Sequence, residues 1–384
     1  MKELTRNEQV LIDLLKHVLF QVPLEIEGDV NWDEVLQEAE KQTVSGLVAS
    51  VAPVEAGEAW HRVFYRVIAK NVQICHAQRE LIDLFSRHSI PLVILKGTAA
   101  AIYYPNPLLR IMGDIDFIIP KDAFETAVSL MKKNGYTISH QEVEKDARHI
   151  GYEKNGIIFE LHHHFSYPDL DIEAHIIEGL DHAEIATVSD TSFPMLPRLS
   201  NGMVLLAHMR EHLQSGMGLR QAIDWMMYVN KELNDDFWNA EFRQAAEMVG
   251  LEELAITTTR MGQLYFGLDN NLSWCKSADE RLCGTLLENL LLCGNFGNKL
   301  NSGKQVETVA TAFRKMGVFR YLQKAGEHNW KAYKKYRWLR PFCWFYQIFR
   351  YIRQGVRAKR GKDIFQDLDQ SKERYEMLKK LGVL

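Results

Sequence analysis

Residues 92–98 read Leu-Val-Ile-Leu-Lys-Gly-Thr, and residues 110–120 read Arg-Ile-Met-Gly-Asp-Ile-Asp-Phe-Ile-Ile-Pro. The first stretch is a short apolar run ending at a glycine, the pattern of a strand buried on both faces that turns into a helix. Thr98-Ala-Ala-Ala-Ile-Tyr-Tyr favours helix and stops at Pro105. The second stretch is a strand over Asp114–Ile119 that Pro120 ends. Side chains alternate along a strand, so Asp114 and Asp116 project from one face and Ile115, Phe117 and Ile119 from the other. Two neighbouring carboxylates repel unless a cation sits between them. The outline is a divalent-metal site beside a loop whose glycine lets backbone approach an anion.

Working outward, Lys121–Asn134 has the apolar spacing of a helix burying Phe124, Ala127, Val128 and Met131, with Gly135 closing it. A strand near Tyr136–Ser139 follows, then a hairpin turning at Asn155-Gly156, a dipeptide suited to a two-residue loop. If those two residues form the loop, Lys154 faces Ile157, Gly151 faces Glu160 and His149 faces His162. Glu160 and His162 then share one face, and Phe159 and Leu161 the other. An acid in the otherwise apolar strand Ile157-Ile-Phe-Glu-Leu lies at an edge, is paired, or binds metal.

The flanks read as helix. Thr5-x-x-Glu8 is a capping box before Val10, Leu11, Leu14, Leu15 and Val18, and Asn31 opens a second helix. A long run to Phe85 places Ile68, Val72, Cys75, Leu81, Ile82 and Phe85 on one face. Further helices are expected over Met203–Leu213, Leu219–Val229, Phe237–Val249, Leu254–Tyr265 and Arg281–Cys293. The expected organisation is a helical region at 1–88, an α/β core at 89–195, a helical domain at 196–310 and a basic aromatic tail at 311–384.

At 384 residues, with 46% hydrophobic and 25% charged residues, the chain has a globular composition and room for more than one core. Its Met1 end is polar, and no run approaches the ~20 apolar residues of a spanning helix. Five cysteines without C-x-x-C spacing fit reduced thiols and a cytoplasmic location. The net charge of −4 is unevenly placed: residues 314–362 hold 15 Lys/Arg and one acid, Glu327, against 31 basic and 49 acidic residues elsewhere. Three readings are open for this tail. It is a solvated helix face packed by its aromatics, a surface for anionic membrane (Phe342, Trp344, Phe345, Ile348, Phe349 and Ile352 make an apolar stripe), or a nucleic-acid surface.

Taken together, Leu-Lys96-Gly97-Thr98, Arg110-x-x-Gly113-Asp114-x-Asp116 and Glu160-Leu-His162 resemble the nucleotidyltransferase superfamily. The closest likeness is to the bacterial nucleotidyltransferase family proteins of unassigned substrate. The likeness spans roughly residues 30–300 and takes in His208-x-x-x-His212, Leu219-Arg220-x-x-x-Asp224 and Gly294-Asn-Phe-Gly297. It implies an α/β (α+β) fold, a mixed sheet flanked by helical N-terminal and C-terminal regions. It also implies Mg²⁺-dependent transfer of a nucleotidyl group from an NTP to an acceptor: a small molecule, peptide, protein or RNA. Two Mg²⁺ ions would be held by Asp114, Asp116 and Glu160, because hard cations take carboxylate oxygens. Glu160 would also take the acceptor's proton. Lys96, Gly97, Thr98, Arg110 and Gly113 would meet the nucleotide, with a structural ion pair the alternative for Lys96. His162, His149, His208, His212, Arg220 and Asp224 would face the acceptor or support the site. Two departures stand out: Thr98 replaces the usual Gly or Ser, and the third acid is Glu rather than Asp. A weakly active or inactive nucleotide-binding, membrane-peripheral adaptor on the same fold is the second reading.

Two other signals compete. His208-Met-Arg-Glu211-His212 matches the H-x-x-E-H pattern of inverted zinc proteases, which needs a third ligand downstream; the alternative is a buried polar cluster with Arg220 and Asp224. His162-His163-His164 cannot chelate together from a regular strand, because His163 points away from its neighbours.

Overall fold

The computed structural model describes residues 4–139, 149–165, 172–269, 271–295, 299, 318–358 and 364–384. Four helices lead: α1 (Arg6–Phe20), α2 (Trp32–Lys41), α3 (Ser45–Ala49) and α4 (Glu58–Arg87). The Thr5–Glu8 capping box forms, as does the Asn31 cap. The α/β part follows as β1 (Val93–Leu95), α5 (Gly97–Ala101), β2 (Ile115–Ile118), α6 (Phe124–Lys133), β3 (Thr137–Ile138), β4 (His149–Lys154), β5 (Ile157–His162), α7 (Glu173–Asp181), β6 (Glu184–Val188) and β7 (Thr191–Met195). Then come α8 (Arg198–Ser215), α9 (Leu219–Glu232), α10 (Asp235–Phe237), α11 (Arg243–Met248), α12 (Glu252–Met261) and α13 (Glu280–Cys293). The last helices described are α14 (Val318–Asn329), α15 (Lys331–Lys335), α16 (Cys343–Ala358) and α17 (Ile364–Lys380).

The seven strands form one mixed sheet in the order β3-β4-β5-β2-β1-β7-β6. β1 and β2 are antiparallel, whereas β2 with β5 and β1 with β7 are parallel. The β4–β5 hairpin has the expected register, with Lys154 opposite Ile157, Gly151 opposite Glu160 and His149 opposite His162. Its turn residues Asn155 and Gly156 both have positive φ, 53° and 73°, which a tight hairpin of this hand requires. The β6–β7 hairpin and α7 were not expected from the sequence. In β6, Glu184, Ile185 and Thr187 are exposed, so little apolar patterning marks the strand.

The sheet separates two cores. Ile94, Ile115, Phe117, Ile119, Phe159 and Leu161 pack with Leu81, Leu84 and Phe85 of α4 and with Ala127, Leu130 and Met131 of α6. Val93, Leu95 and Ile118 face the other way, into a helical core built from α1–α3, α8, α9, α12 and α13. Asp116, Glu160 and His162 share the parity of Ile118 and therefore face the helical side.

One sequence expectation changes here. The buried face of α4 runs through Val67, Asn71, Ile74, Gln78, Leu81 and Phe85, whereas Val72 is 47% exposed and Ile68 and Ile82 only half-buried. Within residues 311–384 the packing differs from one end to the other. Met377, Leu378, Leu381 and Val383 lie within the helical core, while α14 and α16 pack on each other. On α16 and before it, Phe342, Phe345 and Phe349 are exposed. Part of the basic stretch, and Phe296 and Gly297 of the Gly294–Gly297 turn, lie outside the described residues, as do the side chains beyond Arg350 in α16. Among the described residues no helix is long and apolar enough to cross a membrane. All five cysteines are buried, and none forms a disulfide among the described residues.

Candidate active site

β2 and β5 run side by side in parallel, with Asp116 paired to Glu160 across the ladder. Asp114 lies one residue before β2. Together they bring three carboxylates to one place, each offering an oxygen within 4.8 Å of the others. The Nζ of Lys96 stands 2.7 Å from Asp116 Oδ1. The Nε2 of His162 is 3.0 Å from the same oxygen and 3.6 Å from Glu160 Oε2. An ionised carboxylate only accepts, so His162 carries its proton on Nε2. His149, opposite His162 on β4, reaches within 3.7 Å of Glu160 Oε1.

Burial would raise the Asp116 carboxyl, but the Lys96 ammonium and the His162 hydrogen bond outweigh it and hold Asp116 well below the usual carboxylate range. Burial and then the Asp116 and Glu160 charges push Asp114 up to about 6, against the pull of Lys96. Burial opposes the charge on Lys96 and on His162, yet both are held above their ordinary values, Lys96 chiefly by Asp116 and Glu160, His162 by its bonds to the same two acids. The donors are hard oxygens in excess of the local positive charge, and an ammonium already stands among them. That donor set fits a divalent cation of the Mg²⁺ or Mn²⁺ kind.

Lys96 reaches the acids from an unusual backbone, φ 48° and ψ −136°, a conformation costing a non-glycine residue about 1–3 kcal/mol. Gly97 continues the turn at φ 32°. Thr98 is buried, and its Oγ1 donates to Gln78 Oε1 at 2.7 Å, so its hydroxyl holds the loop against α4. Gly113 is exposed, with nothing within 4 Å of where a Cβ would be.

Arg110 does not present a free charge to a phosphate. Its Nε and Nη2 donate to Asp224 Oδ1 and Oδ2 at 2.6 and 2.7 Å, a buried two-pronged pair. The Tyr104 hydroxyl donates to the same Asp224 at 2.7 Å. Arg220 lies beside them, donating from Nη1 to the Ile111 carbonyl at 3.3 Å. His208 and His212 meet on α8, Nε2 to Nε2 at 2.8 Å. No third His, Cys, Asp or Glu joins that pair as a metal-ligand group among the described residues, so the zinc-protease pattern lacks its third ligand. Burial keeps both imidazoles below their ordinary value, His212 down to about 4. His163 stacks on Phe124 at 4.7 Å and His164 contacts Glu173, away from His162.

The sequence reading missed three buried amides that position this site. Asn71 of α4 donates to the Leu108 and Arg110 carbonyls at 2.7 and 2.8 Å and accepts from the Met112 amide at 3.3 Å. It thereby fixes the loop that delivers Arg110 and Asp114. Gln78, two turns on, holds Thr98. Asn201 of α8 donates to the Ala99 carbonyl and the Tyr103 hydroxyl. The signal was present: Asn71 and Gln78 interrupt an apolar stripe at a seven-residue spacing.

Residues 28–267 match the model of a family described as uncharacterised nucleotidyltransferase. The chain belongs to that family. The matched residues contain Lys96–Thr98, Asp114, Asp116, Glu160 and the α8–α9 roof over them. No curated protein matches this nucleotidyltransferase-family chain.

Proposed function

We propose that this protein transfers a nucleotidyl group from an NTP to an acceptor hydroxyl, with Asp114, Asp116 and Glu160 as the metal-binding and catalytic acids. One observation carries the reading: acids from the start of β2, from β2 and from β5 converge on the helical face of the sheet, with oxygens within 4.8 Å. When bound there, Mg²⁺ ions would neutralise charge on the attacking and leaving oxygens of an in-line displacement. Glu160, less buried than Asp116, takes the proton as the acceptor oxygen bonds to the α-phosphorus and pyrophosphate leaves. His162 orients Asp116 through its Nε2–H. Lys96 either moves onto the nucleotide phosphates or yields its place among the acids to the metal. Gly97 and Gly113 leave room for phosphate oxygens near the backbone.

The test is labelling by α-³²P NTPs with Mg²⁺ and a cell extract. Asp116→Ala should abolish transfer to the acceptor, and equal labelling by that variant would remove the mechanism. A thermal-shift screen of the four NTPs identifies the donor, since a ligand that binds the native state raises its melting temperature.

A second reading, a membrane-peripheral nucleotide-binding adaptor, is favoured by one feature: Phe342, Phe345 and Phe349 are exposed beside Arg337, Arg340 and Arg350. Flotation with anionic vesicles, compared with a Phe342/Phe345/Phe349→Ser variant, decides it. Equal flotation by both proteins rejects it.

A further inference from the structure

Two arginines share one corner of the site, but only one carboxylate serves them. Arg110 comes from the loop before β2 and Arg220 from the first turn of α9, and Asp224 lies one helical turn beyond Arg220. Asp224 spends both oxygens on Arg110 and accepts from Tyr104 as well. Arg220 forms no ion pair among the described residues. It keeps one hydrogen bond, to the Ile111 carbonyl, and its Nε is buried with no partner. The residue as a whole is half-buried, with its Nε fully buried. The first turn of α9 contains no acid, and its N-cap makes no side-chain hydrogen bond. A cation at a helix N-terminus stands at the end whose dipole favours anions. Burial and the neighbouring Arg110 both work against the charge on Arg220.

The nearby Asp224 and Asp114 carboxylates only partly offset burial and Arg110, so an arriving anion would stabilise this cation. The anion's position is set by the neighbours: Ile111 is three residues before Asp114, and Asp114 is among the charges Arg220 feels. We infer that Arg220 is the anchor for the β- and γ-phosphates of the incoming nucleotide, and for the pyrophosphate that leaves. This rests on the nucleotidyltransferase reading and adds a site to it. The planar guanidinium offers paired N–H donors that match phosphate oxygens, which a lysine ammonium cannot reproduce. The ligand class is a polyphosphate anion, recognised without regard to the base.

The experiment titrates the full-length protein with inorganic pyrophosphate and, separately, with tripolyphosphate, in the presence of Mg²⁺, by calorimetry. Arg220→Met should weaken both at least thirtyfold and Arg220→Lys about tenfold, with all four NTPs affected by the same factor where they bind. Because Arg220 has only its long hydrogen bond to the Ile111 carbonyl to lose, the unliganded Arg220→Met protein should melt close to the parent. Pyrophosphate binding by Arg220→Met as tight as by the parent overturns the inference while leaving the proposed function standing. A variant that fails to fold also overturns it, by showing that the residue serves structure. A parent protein that binds neither pyrophosphate nor any NTP sinks the functional reading and this inference with it.

Discussion

Asp116 Oδ1 faces two cation-forming side chains at once, Lys96 at 2.7 Å and His162 at 3.0 Å. Without a metal, Lys96 is the main counterweight to three clustered acids. Removing one partner of a buried pair costs about 3–5 kcal/mol, so Lys96→Met should melt well below the parent in chelator. Millimolar Mg²⁺ should then restore more stability to the variant than it adds to the parent, as differential scanning calorimetry would record. Equal Mg²⁺ effects on both would mean that Lys96 and the metal do not share a place. The pH response at residue scale belongs to the α8 histidines. Burial, followed by the Arg220 charge, puts His212 at about 4, below the 6.5 of an exposed imidazole. The unfolded chain therefore takes up protons first as pH falls. Stability contributed by the neutral His212 is complete above about pH 6.5 and is lost as pH drops toward 4, on the order of 3 kcal/mol in all. His212→Gln should flatten that part of a denaturation profile, and an unchanged slope would count against the burial argument.

At the scale of elements, α4 does more than cover the sheet. Asn71 grips three backbone groups of the 108–112 loop, and leaving them unpaired costs about 1–3 kcal/mol. Asn71→Leu should lower stability by that amount and reduce transfer at least tenfold through displaced Asp114, while nucleotide-independent folding persists by circular dichroism. The β4–β5 hairpin governs the other side of the site. With Asn155 and Gly156 both at positive φ, replacing the pair by Ala-Ala should cost about 1–2 kcal/mol. Activity should fall as well, because the turn sets the register that puts Glu160 beside Asp116. The strand pattern, the hairpin register and the Asp114–Asp116 pair were legible in the sequence because each is local: alternation and a turn dipeptide specify them, whereas Glu160 joined the two acids only through the family resemblance. The fates of Arg110 and Thr98 were not legible. Their partners, Asp224 and Gln78, are 114 and 20 residues away, and a guanidinium beside an acid motif reads the same whether it awaits a phosphate or a carboxylate. The β6–β7 hairpin was missed because its exposed face carries too little alternation to announce a strand.

At the scale of the whole molecule, the sheet is a partition, with an apolar core on one side and the reactive groups on the side roofed by α8 and α9. Loss of the roof should silence the site even with all three acids intact. Cutting the chain before Ile364 removes Met377, Leu378, Leu381 and Val383 from that helical core. At roughly 1.5–3 kcal/mol for each large buried side chain, the truncated protein should be unfolded or aggregated in gel filtration. The role of the basic stretch is therefore better probed by point changes on α16 than by truncation.

Residues 10–19 of α1 and residues 377–383 belong to one helical core although nearly the entire chain separates them. During synthesis on a ribosome, the sheet and its acids emerge long before the last of those side chains. The nascent protein thus spends that interval with its triad assembled beside an unfinished roof, and transfer activity should switch on only once Val383 has cleared the exit tunnel.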